Sequence, residues 1–139
     1  MLTISKEFTF DASHYLHNDT FDEDTNKEIY GKCSKYYSDG IGHGHTYKMI
    51  VKLMGDVDKT GMMINFKDLK NIVNTHIIDK MDHKCLNNIE MFKGIVTTCE
   101  NMSEIIFHKL ELLLNNDRFK MYSIILYETP TSYCEYKSE

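Results

Sequence analysis

His43 and His45 stand two residues apart, with Gly44 between them, where the chain enters a run whose odd positions are His45, Tyr47, Met49, Val51 and Leu53. In an extended strand such residues share a side at a Cα spacing of about 6–7 Å, so the two imidazoles can reach one tetrahedral ion. His14 closes another alternating run, Leu2, Ile4, Lys6, Phe8, Phe10 and Ala12, and continues its face. If the two strands pair, three ring nitrogens converge and leave a fourth position open, the arrangement of a catalytic rather than a structural zinc. HxH alone is a weak motif, and ordinary hydrogen-bonded strand histidines fit the same spacing. His17, three residues past His14, falls on the opposite face of any continued strand and is assigned to solvent. His76 and His108 lie in helical patterns, where structural or solvent roles are expected.

Other groups could move protons or hold a ligand. Asp82 and His83 are adjacent, and a carboxylate beside an imidazole makes a proton relay if the backbone aims both inward; otherwise they are a surface pair after a helix. Glu100 ends Thr97-Thr98-Cys99-Glu100, where it fits a capping box with Thr97 as the N-cap. Glu128 continues the face of Tyr122, Ile124 and Leu126 and is expected to be a partly buried carboxylate in need of a partner, either a lysine or a ligand with two parallel N–H donors. None of the four cysteines, Cys33, Cys85, Cys99 and Cys134, forms a CxxC pair, and in a cytosolic chain they are expected as reduced thiols.

These groups must be positioned by a few elements. Period-two patterns predict strands over about 2–14, 44–57, 121–128 and 132–136, the last two joined through Thr129-Pro130-Thr131. The acidic stretch 17–29 has too few apolar positions to bury and reads as a loop with at most one helical turn. Ser34 to Gly44 reads as a second loop. Phe66, Leu69, Ile72, Val73, His76 and Ile77 recur at helical spacing, as do Met102, Ile105, Ile106, Leu110 and Leu113. The order is ββααββ, an α+β domain over residues 1–139 with helices on one face of an antiparallel sheet. The other face then needs a cover, and oligomerisation is the simplest one.

A chain of 139 residues with 42% hydrophobic content can hold its own core. A net charge of −5 with a single arginine, Arg118, excludes a nucleic-acid-binding surface. No apolar run reaches the ~20 residues of a membrane helix and the start of the chain lacks a signal peptide's apolar core, so a cytoplasmic location and no membrane partner are expected.

Phe10-Asp11-Ala12-Ser13-His14, Gly31-Lys32-Cys33, Gly42-His43-Gly44-His45-Thr46-Tyr47-Lys48, Gly61-Met62-Met63-Ile64-Asn65-Phe66-Lys67-Asp68-Leu69-Lys70, Met81-Asp82-His83-Lys84, Cys99-Glu100-Asn101 and Tyr127-Glu128-Thr129 occur in this order along essentially the whole chain. Together they resemble the 6-pyruvoyltetrahydropterin synthase and 6-carboxytetrahydropterin synthase family. The resemblance implies the T-fold, with a four-stranded antiparallel sheet, two helices on one side, trimeric barrels and a homohexamer of two stacked trimers. It implies zinc on His14, His43 and His45, Cys33 as catalytic base, Asp82 and His83 as its relay, Glu128 as the pterin anchor, Thr98 and Glu100 as pocket lining, and active sites between subunits. The implied reaction is that of a carbon–oxygen lyase, converting 7,8-dihydroneopterin triphosphate to 6-pyruvoyltetrahydropterin for tetrahydrobiopterin biosynthesis. Mg²⁺, or lysines such as Lys32 and Lys35, would meet the triphosphate. The alternatives are the 6-carboxytetrahydropterin synthase of queuosine biosynthesis and a zinc-stabilised pterin-binding module without turnover. Cys33 counts against a third variant, which makes 6-hydroxymethylpterin and typically uses glutamate there. Departures from the family pattern are the long stretch Ser34 to Gly42 before the HGH, Thr46 in HGHTY, and Tyr15 in place of a basic residue.

Overall fold

The computed structural model describes residues 1–139. Strands β1 (Leu2–His14) and β2 (His43–Gly55) pair antiparallel along their whole length, from Leu2 opposite Gly55 to His14 opposite His43. This register puts Phe8, Phe10, Ala12 and His14 on the same side as Tyr47, Met49, Val51 and Leu53, and all eight are buried. A one-residue slip would turn that whole set to solvent, so the hydrophobic pattern itself specifies which residues pair. The expected strand ends are met within two residues.

Two further strands extend the sheet beyond β2. β4 (Phe119–Thr129) pairs with β2, and β5 (Ser132–Lys137) folds back on β4 through a turn in which the Thr129 hydroxyl accepts hydrogen bonds from the N–H groups of Thr131 and Ser132. On the far edge, the two-residue strand β3 (Lys84–Cys85) runs parallel to Ala12 and Ser13. The sheet is therefore five-stranded and mixed, in the order β3-β1-β2-β4-β5, rather than four-stranded and purely antiparallel. Two residues carry too little periodic signal to register as a strand.

A β-bulge corrects a second expectation. Met121 lies opposite Leu53 and Ser123 opposite Lys52, leaving Tyr122 as the extra residue. The extra residue changes the alternation, so Phe119 and Met121 share the buried face with Ile124 and Leu126 while Tyr122 does not.

Helices cover that buried face. α2 (Phe66–Val73) is capped by Asn65, whose side chain accepts the Lys67 N–H, and it continues through a π-helical turn (Asn74–Ile78) into the short α3 (Asp79–Met81). The wider turn lets the consecutive Ile77 and Ile78 both face inward beside Leu69, Val73 and Met81. Phe66, expected on the apolar face, is 51% exposed because it opens the helix at its outer end. α4 (Cys99–Leu114) buries Cys99, Met102, Ile106, Phe107, Leu110 and Leu114. Leu114 takes the place anticipated for Leu113, which is exposed.

The N-cap of α4 is Thr98, whose hydroxyl accepts the Asn101 N–H, and not Thr97. The acidic stretch also forms more than one turn, since α1 (Glu23–Tyr30) is a two-turn helix capped by Asp22. Its anchor is polar. The fully buried Asn26 accepts the Asn18 N–H and donates to the carbonyls of Asn18, Phe21 and Asp22, which no hydrophobic period could reveal. The opposite face of the sheet carries Thr9, Asp11, Thr46 and Lys48 and is left open by the helices.

Candidate metal centre and its neighbours

His14 and His43 face each other across the last pair of the β1–β2 ladder, and His45 lies one same-face step inward. Their ring centroids are 4.8 Å apart for His14 and His43, 4.9 Å for His43 and His45, and 5.3 Å for His14 and His45. One nitrogen of each ring lies within 4.8 Å of the other two, a span that a single tetrahedral ion can close.

The surroundings favour the neutral form of two of these rings, His14 and His45. His14 is 1% exposed, and its Nδ1 donates to the Thr97 carbonyl at 2.8 Å, which leaves Nε2 as the acceptor nitrogen. Burial holds the His14 imidazolium below the usual range, against the opposing pull of the Thr97 hydrogen bond and the Glu128 charge. His45 is lowered by the same desolvation, again opposed by Glu128. Its Nε2 is buried with no hydrogen-bond partner, the nearest anion being the Glu128 carboxylate at 3.5 Å. An orphaned buried nitrogen beside two converging imidazoles is what a metal would satisfy, so these residues fit one.

Thr97 is the supporting residue that sequence reasoning missed. Its hydroxyl donates to the Tyr15 carbonyl at 3.0 Å, and Asn87 binds both the N–H and the carbonyl of Tyr15 at 3.0 and 2.9 Å. The backbone immediately after His14 is thus clamped from two loops, while the Thr97 carbonyl orients the ring. A backbone acceptor leaves no mark in the identity of a residue.

Cys33 is brought to the same end of the sheet. The Leu16 N–H donates to the Cys33 carbonyl at 2.6 Å, the Lys35 N–H donates to the Leu16 carbonyl at 3.3 Å, and Leu16 bridges Ser34. The loop 34–42 is closed on itself, with the Gly40 N–H bonded to the Lys35 carbonyl and the Gly42 N–H to the Ser38 hydroxyl, each at 2.7 Å. Its added length bulges outward, and Cys33 stays tethered two residues beyond His14. The Cys33 sulfur is not part of the three-imidazole cluster. Gly42 closes the loop with φ 81°, and a Cβ there would lie 2.3 Å from the His14 carbonyl oxygen.

Contrary to expectation, His17 is not solvated. Its side chain is 14% exposed, its ring sits 5.7 Å from that of Tyr36, and its Nε2 pairs with Asp19 at 3.1 Å. It takes no part in the cluster.

Asp82 and His83 form a separate group on the open side of the sheet. His83 Nδ1 lies 3.0 Å from Asp82 Oδ1, and that oxygen also accepts the Asp11 N–H at 2.9 Å. His83 reaches this place with φ 61°, a left-handed conformation, and its own N–H bonds the Asp11 carbonyl at 2.6 Å. The Asp11 N–H, followed by His83, holds the Asp82 carboxyl below its usual range. Asp11 pairs with Thr46, so its side chain points away from the face that carries His14 and His45. Two adjoining clefts share Gly44, His45 and Thr46, one of about 500 Å³ reaching His83 and one of about 440 Å³ reaching Glu128.

Glu128 is half-buried at the triad end of β4, as its place on the Ile124–Leu126 face predicts. Tyr47, fully buried and stacked on Phe10 at 4.9 Å, leaves its hydroxyl without a partner. Burial and then the nearby Glu128 push that phenol well above its ordinary range, so it stays protonated. Thr98 and Glu100 open α4, Thr98 half-buried and Glu100 exposed.

The sequence pattern of the family described as 6-pyruvoyl tetrahydropterin synthase matches residues 3–139. The chain belongs to that family. It is 36% identical over 138 residues to the 6-pyruvoyl tetrahydrobiopterin synthase of Dictyostelium discoideum, covering 98% of this chain and 96% of the relative. It is also 36% identical over 159 residues to the 6-carboxy-5,6,7,8-tetrahydropterin synthase of Haemophilus influenzae, covering 99% of each. The solved 6-pyruvoyl tetrahydropterin synthase of Caenorhabditis elegans superposes with a TM-score of 0.87 at 35% identity, over 99% of this chain and 96% of that one. The α+β architecture of this 6-pyruvoyl tetrahydropterin synthase family member is therefore the T-fold, with β3 added at one edge. Its relatives are synthases, and no helix is long and apolar enough to cross a membrane.

Proposed function

We propose that this chain, working as one domain in the cytoplasm, converts 7,8-dihydroneopterin triphosphate to 6-pyruvoyltetrahydropterin with elimination of triphosphate, a carbon–oxygen lyase reaction. The observation that carries this reading is the convergence of His14, His43 and His45, with His14 oriented by the Thr97 carbonyl and Glu128 beside His45. Zinc on the three imidazoles would supply Lewis acidity toward the side-chain oxygens of the substrate.

The chain's own groups divide the remaining work. Glu128 accepts two parallel N–H donors of the pterin edge, which fixes the ring, and Thr98 and Glu100 line the pocket at the start of α4. Cys33, as thiolate, takes a proton from the substrate side chain. His83, oriented by Asp82, returns a proton to the neighbouring carbon. Hydroxyl carbons become ketones by an internal redox shift, so no external electron carrier is needed. Mg²⁺ accompanies the triphosphate.

Within one chain the imidazole cluster and the Asp82–His83 pair project from opposite faces of the β1–β2 ladder. This supports an active site assembled between subunits, with the relay of one chain completing the metal and thiol site of another in a homohexamer. The family also contains the carboxy enzyme, but the Gly31-Lys32-Cys33, Gly42-His43-Gly44-His45 and Gly61-Met62-Met63-Ile64-Asn65 segments and the long interval after Cys33 favour the pyruvoyl reaction. Metal analysis with turnover of Cys33→Ala tests the assignment against a pterin-binding module: the enzyme keeps its zinc and loses turnover, whereas a binding module shows no turnover before or after the change.

A further inference from the structure

Two thiols that this chemistry does not use are brought together by the fold. Cys99 is the first residue of α4, and its Sγ donates to the Leu126 carbonyl at 2.9 Å. Leu126 is the strand partner of Cys134, so the β4–β5 register carries the Cys134 sulfur to the same seam. There it lies 3.4 Å from the Ser103 hydroxyl, one turn along α4 from Cys99. Cys99 is 7% exposed, whereas Cys134 is only half-buried on the last strand of the sheet. The two thiols therefore differ in access while sharing one helix–strand contact.

We propose that Cys99 and Cys134 form a redox-convertible pair, in which the accessible Cys134 reacts with a peroxide or a small disulfide and the buried Cys99 resolves it to an intrachain disulfide. With a peroxide, the Cys134 sulfur attacks one oxygen; an S–O bond forms, the O–O bond breaks, and water leaves after protonation. The Cys99 sulfur, its proton released, then attacks Cys134; the S–S bond forms, the S–O bond breaks, and a second water departs. The two thiols have given two electrons to the peroxide.

The surroundings suit this division of roles. The Cys99 thiol, bonded to the Leu126 carbonyl, is also paired with the Cys134 thiol, and Ser103 can turn its hydrogen from the Glu100 carbonyl to the Cys134 sulfur. Those two donors hold Cys134 below the usual thiol range, with Cys99 the larger influence, while burial and the carboxylates Glu100 on α4 and Glu128 on β4 oppose them. Cys99 is correspondingly pushed up by the same pairing and by burial, as befits a resolving thiol. An oxidised pair would tie the first turn of α4 to the last strand.

The test treats the reduced, zinc-loaded chain with a slight excess of hydrogen peroxide, blocks the remaining thiols by alkylation, and maps tryptic peptides without reduction. The expected product has lost two hydrogens from the Cys99–Cys134 pair, links peptide 94–109 to peptide 121–137, and reverts with dithiothreitol. In Cys99→Ala, Cys134 should instead be trapped by a sulfenic-acid reagent, and in Cys134→Val the linked peptide should vanish while the folded circular-dichroism spectrum persists. Cys134 that stays unmodified while Cys33 or Cys85 oxidises overturns the proposal. So does oxidation of Cys134 to a terminal acid without linkage to Cys99.

Discussion

Glu128→Gln keeps the shape of the side chain and removes its charge, at a position half-buried beside His45. If the carboxylate is the acceptor of two pterin N–H donors, the change replaces a charge-assisted pair by one neutral acceptor and an amide that presents N–H to N–H. Losing hydrogen bonds of that kind costs about 1.5–3 kcal/mol, or roughly a 10- to 150-fold rise in the dissociation constant. The three imidazoles that would hold the metal are all retained, because Glu128 is not one of them, so zinc content should persist. Fluorescence titration with an unreactive oxidised pterin, paired with zinc analysis of the same samples, separates the two effects. Weakened pterin binding with full zinc is the expected result. Unchanged pterin affinity, or zinc lost in step with affinity, would refute the assignment of Glu128 as the ring anchor.

Mixing separately inactive Cys33→Ala and His83→Ala chains after partial unfolding should restore part of the turnover if the relay of one subunit serves the thiol of another; steady-state assay of the remixed protein against each parent checks this, and no recovery would place both groups in one chain's site. Gly42→Ala should destabilise the fold by at least about 1–2 kcal/mol, since the left-handed backbone penalises a Cβ and the added atom would meet the His14 carbonyl; urea unfolding and zinc titration should both weaken. The Asp82 carboxyl, held below its usual range by the Asp11 N–H, has a depressed folded pKa. Its stabilising contribution is thus present above the unfolded value and lost as pH falls through the folded one, and side-chain NMR titration should show the lowered value in the wild type and a value moved back toward the normal one, with the His83 contribution remaining, in a chain whose Asp11 N–H is removed by Asp11→Pro.

Much of the three-imidazole cluster is legible from spacing. HxH at the start of a strand places two imidazoles on one face, and the alternation ending at His14 places the third, once the two strands are paired by their hydrophobic sets. Glu128 is found by the same reasoning even though the bulge at Tyr122 interrupts the pattern, because the alternation from Ile124 onward is intact. What stays hidden is held by backbone and polar contacts. Thr97 works through its carbonyl, α1 hangs on the buried amide of Asn26, and β3 is two residues long. Helix register is also only partly visible: the core position falls on Leu114 rather than Leu113, and the cap on Thr98 rather than Thr97. The facing of the Asp82–His83 pair depends on a left-handed His83 and on hydrogen bonds to Asp11, neither of which a dipeptide announces.

The proposed reaction can be read from its products. Purified, zinc-loaded protein incubated with 7,8-dihydroneopterin triphosphate and Mg²⁺, with triphosphate, acetaldehyde and pterin products followed by mass spectrometry, should release triphosphate and yield a 6-pyruvoyl product without acetaldehyde. Acetaldehyde with a 6-carboxy product, or pterin binding with no release of triphosphate, would contradict it.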